Sequence, residues 1–433
     1  MMLPMRYEPA DTQLFVKNRN NLTSLLKCSS LAVFHSNDIM PTNADATMQL
    51  VQNTDLYYLS GIDQEESILL LFPEAKNEKD RQILFVRETN ENIAIWEGEK
   101  LTKEKASKLS GIENIQWTND FDTVFHRLVQ QAEHLYLNTN EHLRAAISVE
   151  TRDARFIKKC QSHYPLHRYE RLAPLMHQLR MIKSSEEIQM LQKACDITET
   201  GFRRILQFVK PGVGEWEVEA EYVHSFISQK SKGFAYSPII GSGKNACVLH
   251  YLENKHICED GDLLLMDVAA EYGNWNADMT RTIPVNGRFT ERQRAVYDSV
   301  LRVLRKANEI LRPGIRPSKY HQQVLEFMEE ELIILGLIDP EEAKAQNESK
   351  PLVKKYYMHG TSHHLGLDVH DVAPIDEPVA EGMVFTIEPG IYIPDENLGV
   401  RLENDVLIQK DTNLDLMAHI PIEADEIEAL MNA

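Results

Sequence analysis

What this chain lacks narrows the field before what it contains. Its five cysteines (Cys28, Cys160, Cys195, Cys247 and Cys258) are odd in number, scattered and without CxxC spacing. That excludes a disulfide framework and a thiolate zinc site, and it fits reduced, mostly buried thiols in a cytoplasmic protein. Basic residues are in deficit: 46 Lys and Arg stand against 66 Asp and Glu, a formal net charge of −20. Nucleic-acid binding depends on neutralising phosphates, so such a surface argues against it, and equally against anionic membranes. No apolar run approaches the roughly 20 residues of a membrane span. The N-terminus carries Pro4, Glu8, Pro9 and Asp11 in place of a signal-peptide core.

Several catalytic motifs are missing too. Gly241-Ser242-Gly243-Lys244 does not have the GxxxxGK[ST] spacing of a phosphate loop, there is no GxSxG elbow, and no cysteine sits in a nucleophile context.

What is present suits a folded α/β protein. Hydrophobic residues make up 43% and charged residues 26% of a chain of 433, too long for one ordinary core, so two domains are expected. In the first, Leu31–Phe34, Ser67–Phe72, Gln82–Val86 and Leu135–Leu137 have the short apolar pattern of strands, and Phe121–His134 that of an amphipathic helix. Pro165 and Pro174 interrupt regular structure near a boundary placed between residues 172 and 173, giving domains 1–172 and 173–433. Beyond it, Ser184 and Glu187 form a capping box ahead of a long helix that Pro211 and Gly212 end. A second helix covers about Glu215–Lys230, and another pair covers Thr290–Leu311 and Ser318–Leu335.

Each helix pair is followed by strand-rich sequence holding the interesting acids. One segment runs from Gly261 through an apolar strand to Asp267, turns at Gly273-Asn274, and reaches Asp278. The other runs from Gly382 through an apolar strand to Glu388, then Pro389-Gly390, and reaches Glu403. In both, the first acid lies six positions after the glycine; the second acid follows 11 residues later in one and 15 in the other. The pattern is an internal repeat of a helix-pair-plus-hairpin unit. A single carboxylate ending a strand ordinarily faces solvent. Two per hairpin, on hairpins packed side by side, would converge, and buried unpaired carboxylates cost several kcal/mol each, so the cluster calls for cations. Side chains alternate along a strand, which places Thr280 and Thr282 on the face of Asp278 and Arg401 on that of Glu403, as partners to orient the carboxylates.

Between the second helix pair and the second hairpin lie four histidines within twelve residues: His359, His363, His364 and His370. His359 and His363 have the i, i+4 spacing of a zinc helix, but the Glu of HExxH is missing, and Gly360 and Gly366 favour a loop. An oxygen-rich donor set with a histidine favours Mn, Fe or Co over a thiolate-type zinc site, and two ions bridged by carboxylates would stand about 3.5–4 Å apart.

The residues Gly241–Tyr251, Asp267–Gly287, His359–His370, Glu388-Pro-Gly-Ile-Tyr392 and Arg401-Leu-Glu403 together resemble the pita-bread metallopeptidases, within them the aminopeptidase P (Xaa-Pro aminopeptidase) family. The resemblance extends more weakly into the first domain through Gln52–Gly61 and Ile95–Gly98. It implies an α/β (α+β) architecture: a creatinase-like N-terminal domain, then a pita-bread catalytic domain with an internal pseudo-twofold repeat. It also implies that Asp267 binds one metal, that His363 and Glu388 bind the other, and that Asp278 and Glu403 bridge them. Two divalent ions are expected, manganese ahead of cobalt, iron or zinc. A bridging hydroxide would attack the scissile carbonyl with Glu388 assisting proton transfer. His250, His359 and His370 would line the substrate site, and Tyr392 and Arg401 would support it. Trp96 and Asp38 are candidate substrate contacts from the first domain, which in the family supports oligomerisation; a homo-dimer or homo-tetramer is expected.

The substrate implied is a peptide with proline in second position. A bond before proline has no N–H, so an enzyme needing that donor discriminates against it. Prolidase, restricted to Xaa-Pro dipeptides, is the nearest alternative; prolidases more often have glycine before the metal-binding histidine, where this chain has Ser362. Methionine aminopeptidase usually lacks such a first domain. A non-catalytic binding module is opposed by the intact ligand set, and a two-metal phosphatase by the absence of a basic phosphate clamp.

Overall fold

The computed structural model describes residues 6–347 and 349–433. The chain divides into two compact units, one ending at Arg180 and the other beginning at Met181.

The first unit is built on a six-stranded sheet in the order Asn114–Trp117, Gln82–Val86, Ile68–Leu71, Ser30–His35, His134–Leu137, Arg168–Arg171. It is mixed: Ser30–His35 is antiparallel to Ile68–Leu71 and parallel to His134–Leu137. Every residue of Ser30–His35 is buried, as expected of a central strand covered on both faces. Phe121, Phe125 and Phe156 from two helices pack on Leu31, Val33, Leu70 and Phe85.

Two expectations for this unit are corrected. The helix from Phe121 ends at Val129, and His134 belongs to a strand. The chain must turn there because the N–H groups of Glu133 and His134 both donate to Ser29 O, at 2.9 and 3.2 Å, which starts the parallel pairing. Pro174 does not interrupt regular structure either; it lies in the first turn of the helix Ala173–Arg180, where a missing N–H is tolerated. That helix closes onto the first unit through Arg180, whose Nη1 donates to Thr54 Oγ1 and Asp55 Oδ1 at 2.8 Å each.

In the second unit the helix pairs are Ser185–Phe208 with Glu215–Ser228, and Glu291–Ile310 with Pro317–Ile334. The Ser184 and Glu187 capping box is formed, with Ser184 N donating to Glu187 Oε2 at 2.9 Å and Glu187 N to Ser184 Oγ at 3.3 Å. After the first pair, Leu263–Asp267 is antiparallel to Thr280–Pro284, opposing Asp267 to Thr280. After the second, Val384–Ile387 is antiparallel to Asn404–Leu407, opposing Ile387 to Asn404.

Between the paired strands each segment makes a hairpin excursion, Glu271–Tyr272 with Trp275–Asn276 in one and Gly390–Ile393 with Leu398–Arg401 in the other. The second excursion is the longer, which accounts for the wider spacing of its two acids. Similar points of the two segments carry the acids: Asp267 ends its strand and Glu388 follows its strand, while Asp278 lies two residues before its returning strand and Glu403 one residue before.

The two segments do not merge into one hydrogen-bonded sheet, the simplest way to bring the acids together. They form separate small sheets among the described residues. They are stitched by Glu403 N to Thr280 O at 3.0 Å and by Thr282 Oγ1, which donates to Arg401 O at 3.0 Å. The fully buried Arg281 adds to the seam, donating to Glu403 O at 2.7 Å, Asn404 Oδ1 at 2.7 Å and Pro421 O at 2.9 Å.

One close approach is sterically demanding. A Cβ on Gly399 would stand 2.3 Å from the backbone oxygen of Ala246, an atom that cannot swing aside. Gly399→Ala is therefore expected to lower the stability of the second unit by about 2 kcal/mol or more. Urea unfolding checks this, and an unchanged midpoint would contradict it.

Candidate metal centre

The ends of the paired strands bring the acids to one place. Ligand atoms of Asp278, His363 and Glu403 all lie within 4.8 Å of one another. His363 Nε2 is 3.4 Å from Asp278 Oδ2 and 3.8 Å from Glu388 Oε1. His363 Nδ1 donates to the carbonyl of its neighbour His364 at 3.0 Å, which turns Nε2 toward the acids; burial opposes a charge on the ring, but Asp278 and Glu388 outweigh it and raise its pKa. His364, the other half of the His-His pair, turns away and packs its ring on Phe385 with centroids 4.1 Å apart. The histidine segment is a loop with no helical turn, as its glycines indicated.

Asp267 lies beside the tight triad and is held from both sides: Tyr236 OH donates to Oδ1 at 2.5 Å and Arg401 Nη2 to Oδ2 at 2.6 Å. Arg401 also donates from Nη1 to Tyr392 OH at 2.9 Å and from Nε to Thr280 Oγ1 at 3.1 Å. Thr280 in turn donates to Glu403 Oε2 at 2.7 Å. One guanidinium thus orients an acid of each hairpin, one directly and one through a hydroxyl. The strand alternation assigned Thr280 to Asp278 and Arg401 to Glu403; the side chains instead reach across the seam to the opposite hairpin's acid.

The electrostatics of this cluster are those of negative charge in excess. Burial, with Asp278, Glu388 and Asp267 nearby, pushes Glu403 well above the usual carboxylate range. Burial also raises Asp267, opposed by Arg401, and raises Glu388 to about 7, opposed by His363 and Arg401. The protein's own cations do not neutralise the group. Four carboxylates and one imidazole that turns its Nε2 toward them form an oxygen-rich donor set that fits divalent cations.

The remaining candidates are distributed as follows. His359 Nε2 meets Tyr392 OH at 2.8 Å, its Nδ1 donates to Gly360 O at 2.8 Å, and Nδ1 is 3.7 Å from Glu388 Oε2. Burial, reinforced by Arg401, pulls its pKa down to about 3, so the ring is neutral. His370 is exposed, its ring edge-on to His363 at 4.3 Å between centroids. His250 is exposed in the turn after the short helix Gly243–Cys247 and makes no hydrogen bond or ion pair with the acids. Ser362 donates to Tyr320 OH at 3.2 Å. In the first unit, Trp96 is 88% exposed on the helix Glu91–Glu97, and Asp38 is engaged by Arg155 and by the N–H of Arg152.

Three contributors were not singled out from the sequence: Tyr236, Arg281 and Asp405. Asp405 is fully buried and its Oδ2 accepts the N–H of Asp278 at 3.0 Å. It lies two residues beyond Glu403 on an alternating strand, a signal that was available; Tyr236 had none.

A fold of two helix-pair-plus-hairpin units with acids at equivalent points agrees with the family comparison. The model of metallopeptidase family M24 matches residues 189–410, and that of the aminopeptidase P N-terminal domain matches residues 15–136. The chain belongs to metallopeptidase family M24 and is a metal-dependent exopeptidase, a hydrolase. Within the family it is similar over nearly its whole length to aminopeptidase P. It is 32% identical to the Xaa-Pro aminopeptidase of Escherichia coli K12, over 97% of this chain and 98% of that one. A Bacillus anthracis structure assigned to aminopeptidase P superposes with a TM-score of 0.90 at 33% identity, covering 98% of each chain. A variant of Escherichia coli aminopeptidase P in complex with substrate superposes at 0.87 with 32% identity, covering 98% of this chain and 99% of that one. The creatinase-like first unit and pita-bread second unit expected of the fold are thereby established. No helix among the described residues is long and apolar enough to cross a membrane.

A divalent ion held by this cluster stabilises the folded state by mass action, by about 2.7 kcal/mol at 100 times its Kd. Chelator-treated protein should therefore melt several degrees lower and recover with Mn²⁺. Glu403→Ala should abolish the Mn²⁺-dependent shift, and a full shift in that variant would remove Glu403 from the site.

Proposed function

We propose that the protein is an aminopeptidase that releases the N-terminal residue from peptides with proline in second position, using two divalent ions. The observation that carries this reading is the convergence of Asp278, His363 and Glu403 within 4.8 Å, flanked by Asp267 and Glu388, in a chain of the aminopeptidase P type. Asp267 would hold one ion, His363 and Glu388 the other, with Asp278 and Glu403 shared. Manganese suits the oxygen-rich donors best. Such ions supply an activated water and polarise the scissile carbonyl.

The chain's own residues do the rest. Glu388, beside the ion it would help hold, is the carboxylate placed to take a proton from the attacking water and pass it to the leaving proline nitrogen. Arg401 opposes the protonation of Asp267 that burial favours and orients its carboxylate, and through Thr280 orients Glu403. His250 and His370, both exposed, are the histidines a peptide would meet first, whereas His359 has both nitrogens engaged and shapes the wall of the site.

The free thiols, of which Cys160, Cys195 and Cys258 are buried, suit a cytoplasmic location. Exposed Ile95 and Trp96, side by side on one short helix, suit a homo-oligomer in which the first unit faces a neighbour.

Turnover of an Xaa-Pro dipeptide and of longer Xaa-Pro-Xaa peptides, with Mn²⁺ added back to metal-depleted protein, tests the assignment. Longer peptides should be hydrolysed at least as well as the dipeptide; activity confined to the dipeptide would make the protein a prolidase, and no hydrolysis of either would make it a binding module. Glu388→Gln should lower kcat on these peptides by about 10²–10⁴.

A further inference from the structure

The histidine loop is anchored by a second set of polar side chains, away from the acids, that the chemistry above does not use. They come from the helix Pro317–Ile334 and from the short helix Leu352–Lys355. Lys354 Nζ lies 3.2 Å from His321 Nε2. An ammonium has no lone pair to offer, so Lys354 donates and His321 Nε2 accepts. The ring hydrogen of His321 is then on Nδ1, which is 2.8 Å from Thr361 Oγ1. The Thr361 hydroxyl in turn is 2.8 Å from Tyr357 OH, to which it donates, and Tyr357 OH donates to Gly360 O at 3.2 Å. Burial, reinforced by Lys354, lowers His321 to about 4, which keeps this tautomer neutral across the physiological range.

Thr361, only 1% exposed, is the point through which this set meets the site. Its carbonyl accepts the N–H of Glu388 at 2.8 Å, and it lies midway between His359 and His363. The carbonyl of Gly360 is shared: it accepts from Tyr357 OH and from His359 Nδ1. Tyr357 also presses its ring edge-on to His359 at 4.9 Å between centroids. Next to His321 on its helix, Tyr320 holds Ser362. His359 is therefore gripped from two sides, each grip beginning at a cation: Arg401 through Tyr392, and Lys354 through His321, Thr361 and Tyr357.

We propose that Lys354 and His321 are positioning residues that, through Thr361, hold the 359–363 loop so that His359 and His363 keep their places against Glu388. This rests on the proposed function, which puts those histidines in the active site. Neither residue touches the acids; they act by fixing a backbone whose movement by a fraction of an ångström misplaces the reacting groups.

The test is a double-mutant cycle on a saturating Xaa-Pro-Xaa peptide, with bound manganese measured for every variant. Lys354 is only partly buried, so Lys354→Met is expected to fold; it should lower kcat about five- to ten-fold, the size of one net hydrogen bond, with KM and metal content little changed. Lys354→Arg, which keeps a donor and a charge, should recover most of the loss. His321→Phe should match Lys354→Met. In a His359→Ala background, Lys354→Met should cost clearly less than it does alone, because the share of its effect that passes through His359 is already gone and only the share through His363 is left.

Full additivity of the two changes, or equal loss in Lys354→Arg and Lys354→Met, would overturn the inference. If His359→Ala alone left kcat and KM unchanged, the reading of the site itself would fail, an outcome distinct from failure of the positioning role.

Discussion

The second unit is organised around a constraint that would unfold most proteins: Asp267, Asp278, Glu388, Glu403 and Asp405 are gathered in one largely buried place. Like charges in a region of low dielectric repel strongly, and each loses its hydration. A packed interior tolerates that only with rigid compensation. Here it is supplied by a guanidinium, an imidazole and, on our reading, bound cations. The surrounding fold is largely a device for holding this cluster against its own repulsion. Two helix pairs back the strands, and each strand delivers its acid at its end, so that carboxylates converge without a run of acid inside any strand.

Two arginines divide the work of holding. Arg401 addresses side chains: Asp267, Tyr392 and the hydroxyl of Thr280. Arg281 addresses backbone, bonding the carbonyls of Glu403 and Pro421 as well as Asn404. A planar fork with five donors suits both tasks, and a lysine at either place would leave acceptors unmet. The two half-sites come from segments more than a hundred residues apart in sequence, so the seam at Thr280, Arg281 and Thr282 decides their relative placement.

Much of this was legible because it is local or repeated. Apolar runs bounded by glycine marked the strands, Ser184 and Glu187 marked a helix start, and the matched spacing of Asp267 and Glu388 after their glycines made the repeat visible. What was not legible depends on the third dimension. Alternation along a strand tells which residues share a face, but not that Arg401 would reach over to Asp267 rather than Glu403. Tyr236 contributes through its approach to Asp267 from a segment with no periodic signal. The overlong helix after Phe121 has the same cause: amphipathic spacing continued past Val129, whereas the pairing of Glu133 and His134 with Ser29 decided where the helix had to stop.

The unequal hairpin excursions bear on how such a site tolerates evolutionary change. The path from Asp267 to Asp278 and the longer one from Glu388 to Glu403 leave a paired strand and return to its neighbour. They differ by four residues. The facing of the acids is set by the register of the flanking paired strands, so a one-residue slip in those strands would turn an acid away, whereas added length at the tip of an excursion is absorbed in the turn. Duplicated halves could therefore drift in length at these tips without losing the ligands. The tip between Ile393 and Leu398, a short helical turn closed by the left-handed Asn397, is such a place.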